Sequence, residues 1–246
     1  MSTMSSHPPG DLAHLPTGSI DYIFTDPPFG SNIFYSDMNL FHEAWLGEVT
    51  DHTSEAVVHT TGKRKNGAAE RYEALLRAAF VEAFRVLKPG GHMSVVFGNS
   101  SGRIWGLVQR AMRDAGFSAA PAHVAILDKG QRSVKGLNSG SESVVTVDLI
   151  VTAKKPDEKE SATAVRALRN GDTNRLIAEA VNELAANVRN PSHVYARILR
   201  KAIQKHYVLD QLHLTDVLLA LRNVGYVTDR KTGLLSLSDS GSQAVA

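Results

Sequence analysis

The residues of this chain best equipped for chemistry are four in a row, Asp26-Pro27-Pro28-Phe29. An ionised Asp26 offers only acceptor oxygens. The carbonyl of Pro27 is a second acceptor one residue on. Proline fixes its own φ, so a turn built on two prolines is stiff and presents its acceptors before a ligand arrives. Phe29 adds a ring on which a flat ligand can stack. Taken alone, the same four residues also read as a turn that ends a strand. Three polar residues follow closely, Asn32, Tyr35 and Asp37, and a Gly/Ser-rich loop further on carries Lys129, Arg132 and Lys135. That basic loop suits either phosphate contact or simple solvation.

These groups need a rigid mount. Ile20-Asp21-Tyr22-Ile23-Phe24-Thr25 is a β-branched and aromatic run that reads as a strand. Two prolines cannot continue a ladder, so the strand ends there and the chain turns. Residues 31–65 read as an irregular loop with a helical turn near Phe41–Leu46; within it, Lys63-Arg64-Lys65 is a short basic run. Tyr72, Leu75, Leu76, Ala79, Phe80, Ala83, Phe84 and Leu87 recur at spacings of three and four, which predicts a helix stopped by Lys88-Pro89-Gly90-Gly91. A strand over His92–Phe97 and a helix over Gly102–Ala115, with Gly116 as its C-cap, come next. Ala122–Leu127 and Val144–Thr152 read as strands with no helix between them, so they are expected to pair antiparallel as an edge hairpin. The alternation predicts an α/β fold with a doubly wound sheet, and such sheets place active sites at the carboxyl ends of their strands. After a charged linker, helices are expected at Asn174–Val188, Pro191–Gln204 and Leu214–Val224, then a hairpin over Tyr226–Leu237. This second part suggests a winged-helix-like module, giving a catalytic part at 11–155 and a helical C-terminal module at 162–240. Arg197, Arg200, Lys201, Lys205 and His206 on or near one helix suit DNA contact, or the module is a packing domain.

Composition sets limits. The 246 residues suffice for one medium domain and a small appendage, and a formal charge of +2 is too weak to argue for nucleic acid. The absence of cysteine excludes disulfides, thiolate catalysis and cysteine–zinc sites. His42, His52 and His59 have no metal-site spacing, so no metal is expected. No signal peptide and no membrane-length apolar run is visible, so a cytoplasmic protein without a membrane partner is expected. Trp45 and Trp105 read as core or loop anchors.

Asp26-Pro27-Pro28-Phe29 resembles the Asp/Asn/Ser-Pro-Pro-aromatic signature of DNA amino-methyltransferases. The resemblance includes Ser19–Thr25 before the turn and Gly30-Ser31-Asn32-Ile33-Phe34-Tyr35-Ser36-Asp37 after it. It takes in Leu87-Lys88-Pro89-Gly90-Gly91 with the strand His92–Phe97, and the hairpin ending at Val151-Thr152, running from Asp11 to Lys155. It implies a partial Rossmann-like class I methyltransferase sheet, S-adenosyl-L-methionine as cofactor, DNA as partner, and transfer of a methyl to an exocyclic amino group. An adenine amino nitrogen is a poor nucleophile because its lone pair is delocalised into the ring. Acceptance of its N–H bonds by Asp26 and the Pro27 carbonyl would free that lone pair to attack a sulfonium methyl. Phe29 would stack the flipped-out base, worth roughly 1–3 kcal/mol. The implied catalytic set is Asp26, Pro27, Pro28 and Phe29; the implied cofactor contacts are Asp26, Asn32 and Tyr35. Lys129, Arg132 and Lys135 would touch DNA phosphates, and Asn99 and Ser100 would face the pocket. Asp at the first position resembles the adenine N6 enzymes; cytosine N4 stays open, while cytosine C5 chemistry is excluded by the missing thiol. An RNA or protein N-methyltransferase and a catalytically silent DNA-binding remnant are the alternatives.

The family's Phe-x-Gly-x-Gly cofactor loop has no match. Gly90-Gly91 ends a helix, Gly98 and Gly102 follow the wrong strand, and Gly171, Gly225, Gly233 and Gly241 are scattered. The expectation is therefore a fragment or split enzyme, with a separate polypeptide supplying the cofactor half. The strand Ile20–Thr25 would then be a sheet edge with uncovered apolar faces.

Overall fold

A computed structural model describes residues 12–30, 35–47, 55–59, 62–118, 123–128, 147–157, 164–169, 171–186, 190–229 and 233–238. In chain order the elements are β1 (Ile20–Thr25), α1 (Tyr35–Leu46), α2 (Ala68–Val86), β2 (Leu87–Phe97), α3 (Gly102–Asp114), β3 (His123–Asp128) and β4 (Val147–Lys154). Then come α4 (Asp172–Asn182), α5 (Pro191–Gln204), α6 (Leu214–Asn223), β5 (Tyr226–Thr228) and β6 (Leu235–Leu237). The architecture is mixed α/β, with four strands in the order β1-β2-β4-β3 and a separate two-stranded β5-β6 ribbon. β1 and β2 are parallel, and β3 and β4 form the expected antiparallel pair, His123 opposite Thr152 and Asp128 opposite Val147. Two compact units emerge, one from Met1–Val95, Leu107–Ser118 and Ala153–Ser161, the other from Val96–Gly106, Ala119–Thr152 and Ala162–Ala246.

In the first unit, α2 buries Tyr72, Leu76, Phe80 and Ala83 of the predicted stripe together with Val86, while Leu75, Ala79 and Phe84 are half-buried. β2 differs from expectation: it begins at Leu87, so Lys88-Pro89-Gly90-Gly91 belongs to the strand. The register to β1 jumps there, from Ile20–Leu87 to Tyr22–His92. The bulge is held from one side, where Gly90 N–H donates to the Lys155 carbonyl at 3.0 Å and Lys155 N–H to the Gly91 carbonyl at 2.8 Å. Those bonds turn a helix stop into an irregular strand start. The Lys155 ammonium donates to the Phe84 and Leu87 carbonyls, both at 2.7 Å, which caps the end of α2. α3 closes as predicted: Gly116 has φ 104°, its N–H donates to the Arg113 carbonyl and that of Phe117 to the Met112 carbonyl. α1 is a full helix where the sequence suggested one turn. Nearly all of it faces solvent, with Phe41 80% and Trp45 92% exposed, so Trp45 is no core anchor.

In the second unit, Trp105 is buried; its ring meets Phe97 edge-on at 4.9 Å and its Nε1–H donates to the Asn99 carbonyl at 2.9 Å. Glycines at 102 and 106 lie one helical turn apart on α3. A Cβ at Gly102 would sit 2.4 Å from the Leu209 carbonyl oxygen and 2.6 Å from Leu212 N, so the turn 209–212 rests directly on that helix. α5 starts where Asn190 and Pro191 predict; Asn190 Oδ1 accepts the His193 N–H at 2.9 Å. α4 ends at Asn182, earlier than expected. β5 and β6 pair as the predicted hairpin, Tyr226 opposite Leu237.

Candidate active site

The turn Asp26-Pro27-Pro28-Phe29 leaves the carboxyl end of β1, whose last residue, Thr25, lies beside Val95 of β2. Asp26 is exposed, Pro27 buried, and Pro28 and Phe29 half-buried. Neither proline has an N–H to give, so the turn is held through its carbonyls. The Tyr72 hydroxyl, from a fully buried side chain on α2, donates to the Pro28 carbonyl at 2.6 Å. Burial pushes that hydroxyl above the ordinary tyrosine range, so it stays a donor. The Gly30 carbonyl accepts the Val58 N–H at 3.2 Å; Gly30 is buried with φ 84°, a conformation that suits glycine. Just downstream, Ser36 N–H and Ser36 Oγ donate to the two carboxylate oxygens of Glu55, at 3.0 and 2.6 Å. Glu55 thus places a negative charge at the first turn of α1, where the helix dipole favours it. Tyr72 and Glu55 both went unnoticed in the sequence. A helix stripe explains Tyr72 as core, and nothing local marks its hydroxyl.

The other predicted site residues fare differently. Asn32, Lys129, Arg132 and Lys135 lie outside the described residues. Tyr35 is the first residue of α1, and Asp37 is exposed on the same helix. Asn99 is buried, but its Oδ1 accepts the Ser101 N–H at 2.7 Å, and the Ser100 carbonyl accepts the Leu214 N–H at 2.9 Å. Asn99 thus closes the turn into α3 through a local side-chain-to-backbone bond, and Ser100 ties that turn to the start of α6. Three of the basic residues proposed for DNA contact on α5 are engaged by α4. Lys205 donates to both oxygens of Glu179 at 2.8 Å, Lys201 pairs with Glu183, and Arg197 lies 3.6 Å from Glu183. These pairs favour the packing role for that face. Among the described residues no group of three or more His, Cys, Asp or Glu is placed to hold a metal, and no helix is long and apolar enough to cross a membrane.

The glycines that might cradle the methionine part of a cofactor are filled by the chain itself. A Cβ at Gly98 would lie 2.0 Å from Asp148 Oδ1, and one at Gly106 2.4 Å from the Asp210 carboxylate. Gly90 faces Asp157 at 3.1 Å, and Gly91 faces the Asp21 carbonyl at 3.0 Å. The glycines at 90, 91, 98 and 106 therefore face the chain's own atoms.

No protein-family model and no curated protein matches the chain. Among solved structures, three crystal structures of a Thermus thermophilus protein with a provisional DNA modification methylase name overlap it. A selenomethionine derivative is 18% identical over 75% of this chain and 78% of that one, with a TM-score of 0.35. A second structure is 16% identical over 87% and 91%, also at 0.35. A third, complexed with S-adenosyl-L-methionine, is 18% identical over 75% and 79%, at 0.36. Overlaps of that size carry no argument about this chain by themselves.

Proposed function

We propose that this chain carries the base-binding part of an S-adenosyl-L-methionine-dependent DNA methyltransferase that acts on an exocyclic amino group, adenine N6. The observation that carries the reading is the exposed Asp26 carboxylate on a proline-stiffened turn at the carboxyl end of a parallel strand, with Phe29 beside it. In this reading Asp26 and the Pro27 carbonyl accept the two amino N–H bonds, and Phe29 holds the base plane. S-adenosyl-L-methionine, when bound, supplies a sulfonium methyl. The filled glycine positions do not fit that group, so the donor is proposed to come held by a separate polypeptide that continues the sheet at the outer edge of β1. Tyr22 and Phe24, both more than half exposed on one face of that edge strand, support such an assembly. The module at 162–240, proposed as winged-helix-like, would then serve packing through α4 and α5.

The test is methyl transfer from labelled S-adenosyl-L-methionine to DNA by the full chain, alone and with lysate fractions, followed by nucleoside mass spectrometry. N6-methyladenine is expected, with Asp26→Ala, which leaves no side-chain acceptor, reducing its rate about a hundredfold or more. Label on cytosine N4 would reject the adenine assignment. An Asp26→Ala variant as active as the parent would reject the site.

A further inference from the structure

We infer that Tyr72 is a positioning residue: its buried hydroxyl sets the orientation of the acceptor turn by holding the Pro28 carbonyl. The inference rests on the assignment of Asp26 and Pro27 as the amino-group acceptors. The two proline rings fix φ at positions 27 and 28, so the main-chain freedom left inside the turn is the two ψ angles. A hydrogen bond of 2.6 Å to the Pro28 carbonyl fixes the second of these, and with it the peptide plane that leads into Phe29. Just beyond, the Gly30 carbonyl is tied to Val58, so the turn is clamped at the carbonyls of residues 28 and 30 while Asp26 stays exposed.

The hydroxyl is not needed for packing. Tyr72 is fully buried on the apolar stripe of α2, where phenylalanine would fill the same space. A buried hydroxyl costs free energy unless it is bonded, and this one reaches 44 residues back along the chain to find its acceptor. Burial also keeps it protonated, so the clamp does not depend on pH in the range where carboxylates and histidines titrate.

The chain contains its own control. Tyr195 is also fully buried, and its hydroxyl donates to the Leu212 carbonyl at the same 2.6 Å, in the unit that lacks the turn. Tyr72→Phe and Tyr195→Phe therefore remove the same kind of bond. The experiment compares both variants with the parent full-length chain by thermal melting, by amide hydrogen exchange read at Phe29 and Gly30, and by kcat and KM for DNA. Both variants are expected to melt lower. Only Tyr72→Phe is expected to speed exchange at Phe29 and Gly30, about tenfold, and to lower kcat by a similar factor with KM for DNA within about twofold. Unchanged exchange at Phe29 and Gly30 in Tyr72→Phe overturns the clamp. An equal loss of kcat in Tyr195→Phe overturns its special role. A parent chain that transfers no methyl defeats the proposed function, while the exchange measurement still decides whether Tyr72 holds the turn.

Discussion

Phe29 and Asp26 sit three residues apart on one turn, yet their loss is expected to show in different constants. In the proposed function Asp26 accepts from the amino group and Phe29 stacks the base, so removal of Asp26 is expected to lower kcat. Phe29 offers a face to the base plane, so Phe29→Ala is expected to weaken DNA binding by roughly 1–3 kcal/mol and raise KM with kcat less affected. Titration of the variant with DNA containing an unpaired target base checks this. A loss confined to kcat would remove Phe29 from base stacking. At this scale the sequence was legible where the signal is contiguous: two prolines in a row end β1 and leave Asp26 exposed just beyond it. It was illegible where partners are distant. Tyr72 meets Pro28 across 44 residues, and Glu55 meets Ser36 across 19.

Elements with their own punctuation were read to within a residue. α5 carries Asn190 and Pro191 at its start, and the end of α3 carries Gly116. The start of β2 was misjudged because Pro89-Gly90-Gly91 truly ends a helix, yet bonds from residue 155 gather it into the strand. α1 was underestimated because Met38, Leu40, Phe41, Trp45 and Leu46 form no single buried stripe. Two predictions belong to elements. Gly102→Ala forces a methyl against the backbone of residues 209 and 212, and overpacking of this kind costs about 1–3 kcal/mol, which calorimetric melting would detect. A melting temperature equal to the parent's would mean the close approach is absent. The α4–α5 ion pairs give a pH dependence. Hydrogen bonds from Lys205 hold the Glu179 carboxyl below its ordinary range, partly opposed by desolvation. A depressed carboxyl stabilises the fold fully above the unfolded value, about pH 4, and that contribution is lost as pH falls through the lowered value. Solvent screening keeps it below about 1 kcal/mol. Glu179→Gln is expected to melt lower than the parent at pH 7 and to match it in strong acid; a gap that persists at both would assign the loss to packing.

For the molecule as a whole, the filled glycines make a plain demand: titration calorimetry of the isolated chain with S-adenosyl-L-methionine is expected to show no micromolar binding. Such binding would place a donor cradle on this chain and remove the need for a second polypeptide. The mixed α/β architecture was visible in the alternation of strands and helices, and the antiparallel β3–β4 pair followed from the missing helix between its strands. What the alternation could not give is which surfaces stay wet, because that depends on what packs beside them. The two tryptophans record the difference. Trp105 is sealed among apolar neighbours, whereas Trp45 stands almost wholly in water on α1. Excited at the indole band, a chain with Trp105 replaced would emit from Trp45 alone, red-shifted and open to iodide quenching. Any companion that settles over this helix would turn that glow bluer and shield it, giving assembly an optical signature that needs no label.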